Sequence, residues 1–536
     1  MTPSDSVDGV REKERLLAGL AETGGPVSRW SAAADAWCAA ALWPQPRPSS
    51  GLVAEWIAAA TGSPTTLPSS QLTASLHRAR AIAAEHNAFH WEIAFPEVFF
   101  GPDGRVRPDG GFDAIVGNPP WDMLRADIGS VQHRATVRAN TGAELRFFRD
   151  SGVYALQGGG HANRYQLFLE RALQLSRPGG RVGLILPSGI GTDQGSATLR
   201  RHLFDRTTID TWLGFENRRR IFPIHRSTRF VLLSTQTSGR TDTLTFQCAL
   251  TDPAALDADR DRPPLRIARS RLESWSPDLS VPEIADATAL RILTGISSRV
   301  PPLGHAAGWN VRFGRELNAT DDRPHFVPLA ASSQRLLPII EGKLLSPFQL
   351  DIDRATAGIP SRVASRLLDR EPFRRTRLAY RDVAGATNKL TLIAALLPAG
   401  TVSTHTVFVS KTPLDEESQW CLLGLMNSLI ANYLVRLRVM THVTTATMAR
   451  LPLPRPAAGS PPFETLASLS RQLSVRGINE GADDYARLNA IAAQLYGLTC
   501  DQFGYVLATF PLIATDLRES CLSRFEQLTH THRGSL

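Results

Sequence analysis

Asn118-Pro119-Pro120-Trp121 stands directly behind the apolar run Phe112 to Gly117 and carries the groups needed to methylate an amino nitrogen. The lone pair of an exocyclic aromatic amine is conjugated with its ring, so the amine attacks poorly until acceptors draw its N–H hydrogens out of that conjugation. The Asn118 side-chain oxygen and the Pro119 carbonyl would be those acceptors. Pro119 and Pro120 fix φ and bend the chain off a strand, so the carbonyl faces a site instead of a ladder. Trp121 offers a flat apolar face on which an extruded base would stack, a contact worth about 1–3 kcal/mol. The same residues also read as a strand-ending turn followed by an ordinary core aromatic. A turn at the carboxyl end of a short apolar run is where open α/β sheets hold ligands, and this favours the first reading.

The elements that must position this turn follow from periodicity. Residues 1 to 60 read as helices, with Trp37, Cys38, Ala39, Ala40, Leu42 and Trp43 on one apolar face, and Gln71 to Glu85 reads as another helix. Gly24-Gly25 follows a polar helical stretch and reads as a helix end or loop. After Trp121 the polar stretch through Gly160 is expected to be a loop over the site, and Tyr165 to Leu175 an amphipathic helix. Gly180 to Pro187 is almost uniformly apolar and reads as a central parallel strand. Thr207 to Gly214 and Arg229 to Thr235 form the expected closing hairpin. Asp252 to Pro282, rich in Pro, Asp and Arg, reads as a linker or insert. Beyond it, a strand over Thr401 to Phe408 and a helix over Trp420 to Val435 indicate a mixed α/β module, and Phe463 to Phe510 reads as helical.

Composition narrows the class. A chain of 536 residues has room for several domains. Its five cysteines lie far apart, which gives neither a disulfide framework nor a zinc site, and no metal is expected. No long apolar run and a polar N-terminus indicate neither a membrane span nor a secretory signal, so a cytoplasmic location is expected. The net charge of +8 suits a partner rich in phosphate. Placement says more than the total: seven arginines (362, 366, 370, 374, 375, 377 and 381) stand against Asp369 and Glu371. Of these, Arg374, Arg375, Arg377 and Arg381, with Asn388 and Lys389, are the first candidates for a DNA-phosphate surface. A solvated helix face with local ion pairs is the plainer alternative. Arg218, Arg219 and Arg220 after the hairpin strand are candidates of the same kind.

On these residues the chain resembles the N6-adenine DNA methyltransferases of the large restriction-modification and phage-defence type, the type IIG-like methylases. His90 to Phe99 is similar to the stretch before their catalytic motif, Pro178 to Pro187 to their next strand, and Gly214 to Asn217 with Ile221 to His225 to their strand-hairpin motif. Glu341-Gly342-Lys343, Arg381 to Ala384, Thr387-Asn388, Met426 to Ser428 and Leu451 to Pro454 are similar to their DNA-recognition region. The resemblance implies S-adenosylmethionine as methyl donor, double-stranded DNA as partner, a catalytic Asn118-Pro119-Pro120-Trp121, and Phe215 lining the base pocket; Phe215 reads equally as an aromatic of the hairpin core. Beyond Asn118 and Pro119, which would also border the donor, no cofactor-binding residue is read.

Two features of that family are absent from the sequence: a glycine-rich loop of the form Asp-Pro-x-x-Gly-x-Gly after a first strand, and an acidic residue ending a second strand. The family's sheet resembles order 3-2-1-4-5-7-6, so strands 4, 5 and the hairpin are expected here, with strand 4 at an open edge. One wall of the donor crevice would then come from elsewhere, such as a separate polypeptide in a split methylase.

The expected fold is therefore α/β, a partial Rossmann-like methyltransferase sheet followed by a recognition domain and a helical C-terminus. The expected boundaries are a helical segment over 1–85, the catalytic part over 86–250, a linker over 251–282, recognition over 283–454 and helices over 463–536. Two alternatives remain open: a DNA-binding specificity subunit or pseudoenzyme, and methylation of a protein amide, which the same turn would serve.

Overall fold

The computed structural model describes all residues except 1–5, 23, 124–132, 159–162, 255, 257–262, 332–334, 386–387, 440 and 534–536. The chain divides into two compact units. The first comprises 1–186, 195–211 and 232–241; the second comprises 187–194, 212–231 and 242–536.

In the first unit the helices Pro26–Leu42, Ser50–Thr61 and Ser69–Glu85 close around Ala36, Ala39, Trp56, Leu72 and Ala79. Ser49 caps the second of them by accepting from Leu52 N at 3.2 Å, and Gly62 ends it with φ 81°. Along Pro26–Leu42 the buried positions are Ala33, Ala36, Ala39 and Leu42, three residues apart, so the helices approach along small side chains. Trp37, expected on the apolar face, instead stays 42% exposed and meets Phe147 edge-on at 6.0 Å. Gly24, at φ 85°, lies between two helices as expected.

Phe147 belongs to a helix, His133–Asp150, where the sequence suggested a loop. Within it the run Ala143 to Phe148 favours helix, and buried Ala143 and the ring of Phe147 anchor it. Of the rest of that expected loop, 122–123 and 151–158 lie in no helix or named strand, and 124–132 and 159–160 fall outside the described residues.

The sheet that carries the Asn118 turn has six strands: β1 (Phe112–Gly117), β2 (Ser176–Pro187), β3 (Thr208–Glu216), β4 (Arg229–Gln236), β5 (Thr243–Leu250) and β6 (Leu265–Ala268), in the order β1-β2-β4-β3-β5-β6. β1 runs parallel to β2, in register from Ala114 against Arg181 to Gly117 against Leu184. Pro178-Gly179-Gly180 forms an irregularity at the start of this pairing, with Gly179 at φ 78°. β4 runs antiparallel to β2, since Thr237 N donates to Gly180 O at 2.8 Å and Ser188 N to Arg229 O at 3.1 Å.

β1 enters the sheet through Gly111 at φ 129°, where a Cβ would stand 2.4 Å from Arg177 N, so glycine is required. Trp91, Phe95 and Phe99 then converge edge-on upon Phe112 at 5.7, 5.3 and 5.5 Å. That aromatic brace explains the residues of the 90–99 stretch.

In the second unit β5 pairs parallel with β3, and β6 antiparallel with β5. β6 and the helix Arg269–Trp275 lie inside the stretch expected to be linker, so 265–275 is built structure; the apolar Leu265, Ile267, Leu272 and Trp275 supply its packing face. Ten further strands are β7 (Phe313–Gly314), β8 (Val327–Pro328), β9 (Leu336–Ile340), β10 (Leu345–Ser346), β11 (Gln349–Leu350), β12 (Ala357–Pro360), β13 (Arg377–Arg381), β14 (Ala394–Leu397), β15 (Val402–Ser403) and β16 (Val407–Ser410). They form sheets of order β15-β9-β12-β8 and β14-β13-β16-β7, with a β10-β11 pair.

The strand expected over 401–408 is thus two strands in two sheets. Thr404 O accepts from Val407 N at 3.1 Å in the turn between them. The helix expected over 420–435 is likewise two, Glu416–Asn427 and Leu429–Arg436; Ser428 ends one and caps the other by accepting from Ala431 N at 3.2 Å. Helices Pro461–Glu480, Ala482–Leu495, Cys500–Ala508 and Thr515–Arg533 follow. Among the described residues no helix is long and apolar enough to cross a membrane.

Candidate active site

The Asn118 turn leaves β1 at its carboxyl end. Pro119 is buried, Asn118 and Pro120 are exposed, and Trp121 is half-buried. The Asn118 amide makes no side-chain hydrogen bond among the described residues, so its oxygen keeps its full accepting capacity. Trp121 Nε1 donates to Ile185 O of β2 at 3.3 Å, which ties the indole plane to the neighbouring strand. The turn and the ring are therefore held by two adjacent parallel strands.

The chain beyond the turn is anchored as well. Arg164 N donates to Asp122 O at 3.1 Å, the Arg164 guanidinium bridges Asp122 at 3.7 Å and Glu144 at 3.2 Å, and Met123 bridges to Asn163. Asn163 also opens the helix Arg164–Leu175 with a capping box closed by Gln166. From this helix Glu170, 1% exposed, accepts from Ala155 N at 2.6 Å, Leu156 N at 2.9 Å and Gln157 Nε2 at 2.6 Å. Gln166 and Tyr165 reach Ser196 at 2.7 and 3.1 Å.

Sequence reasoning missed this network. Its signals were the Asn163-to-Gln166 spacing of a capping box and two polar residues, Gln166 and Glu170, at i and i+4 on an otherwise apolar face. Glu170→Ala is expected to lower stability by about 1–2 kcal/mol, because it removes a buried carboxylate that satisfies three part-buried donors. Urea unfolding measures this as a lower midpoint at unchanged slope.

β1 itself is open along one side. Asp113, Ala114, Val116 and Gly117 are exposed, and Val116 is 85% exposed. An apolar parallel strand is ordinarily buried on both faces, so this exposure marks an incomplete surface. β1 is the edge strand of its sheet, with β2 as its one strand neighbour among the described residues.

Phe215 lies in the second unit, buried at 4%, and stacks on Phe230 with ring centroids 5.3 Å apart and planes within 9°. Phe222 meets Phe230 edge-on at 5.0 Å. Phe215 thus packs in the hairpin core, one of the two readings its sequence position allows, with its ring against its cross-strand neighbour. Asn217 fixes the hairpin by accepting from Phe222 N at 2.9 Å and donating to Phe222 O at 3.0 Å.

Arg218, Arg219 and Arg220 are exposed. Arg218 pairs with Glu216 at 2.6 Å and Arg219 with Asp252 at 2.9 Å. Exposed pairs of this kind contribute about 0–1 kcal/mol, so a phosphate would compete for either arginine at little cost.

The arginine-rich segment divides. Arg374 is exposed and paired with Glu371 at 2.5 Å. Arg375 is half-buried, and burial pulls its guanidinium below the ordinary value. Arg377 is fully buried against Glu316, with both side chains at 0% exposure and Nε 2.9 Å from Oε1. Its Nη2 donates to Thr401 O at 2.7 Å and its Nη1 to Arg375 O at 3.0 Å. Arg377 is thus a core residue and leaves the candidate phosphate surface. Arg381 is half-buried, its Nε donating to Val383 O at 2.7 Å. Asn388 is half-buried and Lys389 exposed; both backbone carbonyls accept from Arg436. Thr387 lies outside the described residues.

Asn427 and Asn432 are fully buried. Asn427 accepts from Ala394 N at 3.0 Å, and Asn432 from Thr391 N and Leu392 N at 2.8 Å each. They satisfy backbone groups at an otherwise unpaired strand end.

Residues 64–222 match the model of the Eco57I restriction-modification methylase family. A protein of Methanocaldococcus jannaschii described as a type II restriction enzyme and methyltransferase is 26% identical over 121 residues, which cover 23% of this chain and 8% of that protein. Among solved structures, the type IIL restriction-modification enzyme MmeI with DNA aligns at TM-score 0.44 and 12% identity over 74% of this chain and 56% of that one. The type IIG restriction endonuclease BpuSI aligns at TM-score 0.30 and 10% identity over 97% and 80%. This chain thus carries, over residues 64–222, a match to the Eco57I restriction-modification methylase family, and the Asn118–Trp121 turn lies inside it.

Proposed function

We propose that this chain is the amine-accepting and recognition part of a site-specific DNA adenine-N6 methyltransferase that serves a restriction-modification system. The observation that carries the reading is the exposed Asn118 amide at the carboxyl end of a parallel strand, with Trp121 tied to the next strand through Ile185 O. Asn118 Oδ1 and the Pro119 carbonyl accept the two hydrogens of the target amine, which localises the nitrogen lone pair. Trp121 stacks the extruded base. The methylase family matched over 64–222 supports both the reaction class and DNA as substrate. The boundaries read from the sequence give this part residues 86–250 and the recognition part 283–454, in the cytoplasm of its cell.

S-adenosylmethionine is the proposed donor, and it supplies an electrophilic methyl group when bound. Because β1 is the edge strand among the described residues, the other wall of the donor site is proposed to come from a segment with a glycine-rich loop, such as a separate polypeptide. Calorimetry of the purified chain with S-adenosylmethionine tests this. No donor binding by the chain alone is expected, and binding together with DNA methylation is expected once that polypeptide is added. Tight donor binding by the chain alone would overturn the two-part reading. Duplex binding without methylation under either condition would favour a specificity subunit.

A further inference from the structure

The second unit holds a recess of about 410 Å³ lined by Glu341, Gly342, Lys343, Arg381, Val383 and Thr406. These residues come from three places: a turn after β9, the end of β13, and the turn between β15 and β16. Gly342 is needed where they meet. A Cβ there would stand 3.0 Å from Arg381 Cγ and 3.2 Å from Thr406 O, and Gly342 N donates to Thr406 Oγ1 at 2.9 Å.

Two cations and one carboxylate face this recess. Lys343 Nζ lies 2.6 Å from Glu341 Oε2, but both side chains are exposed, so a phosphate can exchange with that carboxylate at a cost of about 0–1 kcal/mol. Arg381 forms no ion pair among the described residues. Its Nε is committed to Val383 O, which fixes the guanidinium plane and leaves the two terminal nitrogens without a protein acceptor among those residues. The adjacent Asp382 makes no ion pair with Arg381; its carboxylate lies 3.1 Å from His442 Nδ1. A pre-oriented guanidinium fork beside a lysine in a recess is a donor set for a tetrahedral oxyanion.

We propose that this recess binds a phosphate group of the polynucleotide backbone, with Arg381 as the forked donor and Lys343 as the second cation; the identity of the polynucleotide as DNA rests on the function proposed above. It positions the duplex and reads no base. A phosphate contact weakens binding to every sequence alike, whereas a base contact changes which sequence is preferred.

The test is fluorescence anisotropy of labelled duplexes of unrelated sequence with the full chain across a salt series, for wild type, Arg381→Ala, Arg381→Lys and Lys343→Ala. Arg381→Ala is expected to weaken every duplex by on the order of fivefold and to reduce the salt slope by about one. Arg381→Lys should restore the slope and part of the affinity. A matched thermal midpoint for the variants excludes misfolding as the cause.

An unchanged slope in Arg381→Ala, or a loss confined to one sequence, would overturn the phosphate site and leave DNA binding standing. A parallel arm measures the thermal midpoint with inorganic pyrophosphate. A rise in wild type that Arg381→Ala abolishes, with no duplex bound, would keep the site as one for free phosphates and overturn the DNA reading. No response in either arm would overturn both.

Discussion

Asn118→Ala is expected to lower methyl transfer to duplex DNA by about 10²–10³ in kcat, measured with labelled S-adenosylmethionine in the reconstituted, methylating preparation. The magnitude follows that of removing one pre-aligned polar group that stabilises developing charge. Here the lost group is an acceptor, and the charge develops on the amine as its lone pair commits to the methyl carbon. The same change should leave folding within about 0.5 kcal/mol, because the Asn118 side chain is exposed and unbonded among the described residues. That combination separates a chemical role from a structural one. Asn118→Asp keeps an accepting oxygen and is expected to retain more activity than the alanine variant. Equal activity of Asn118→Ala and wild type would remove the turn from the chemistry.

The largest expected effect on stability lies far from that turn in sequence. Truncating Glu316 or Arg377 to alanine should each cost about 3–5 kcal/mol, because either change leaves the opposite charge buried and uncompensated. Glu316 Oε2 also accepts from Arg377 Nη2 at 3.2 Å and Ser403 N at 2.7 Å, so its loss strands a backbone donor as well. Replacing both residues with apolar side chains of similar volume should recover most of the loss. Chemical denaturation of the single and double variants measures this. Duplex binding by the folded fraction should be the same in all of them, in contrast to Arg381→Ala. A stable Arg377→Ala protein with weakened DNA binding would return Arg377 to the phosphate surface.

The sequence by itself determined the elements whose patterning is local. β1 spans the apolar run Phe112–Gly117 and stops where Asn-Pro-Pro removes the ladder donors. β2, the β3–β4 hairpin and the N-terminal helices follow from runs and periods that need no distant partner. The accepting groups at Asn118 and Pro119 belong to that class, since the prolines fix the local turn.

Tertiary structure decided what depends on residues remote in the chain. Arg374 and Arg377 are three residues apart and look alike in sequence, yet one is solvated and the other is core, because only Arg377 meets Glu316 across 61 positions. Phe215 is covered by Phe230 from the opposite strand, and a strand sequence does not state which ring its neighbour brings. The helix at 133–150 took the place of a loop because its packing partner, Trp37, lies about a hundred residues earlier. The Arg381 recess needs three separated turns to meet at Gly342. A local pattern records which face a residue wants to bury, and only the folded chain supplies the partner that settles whether a charge is buried, paired or left to meet a ligand.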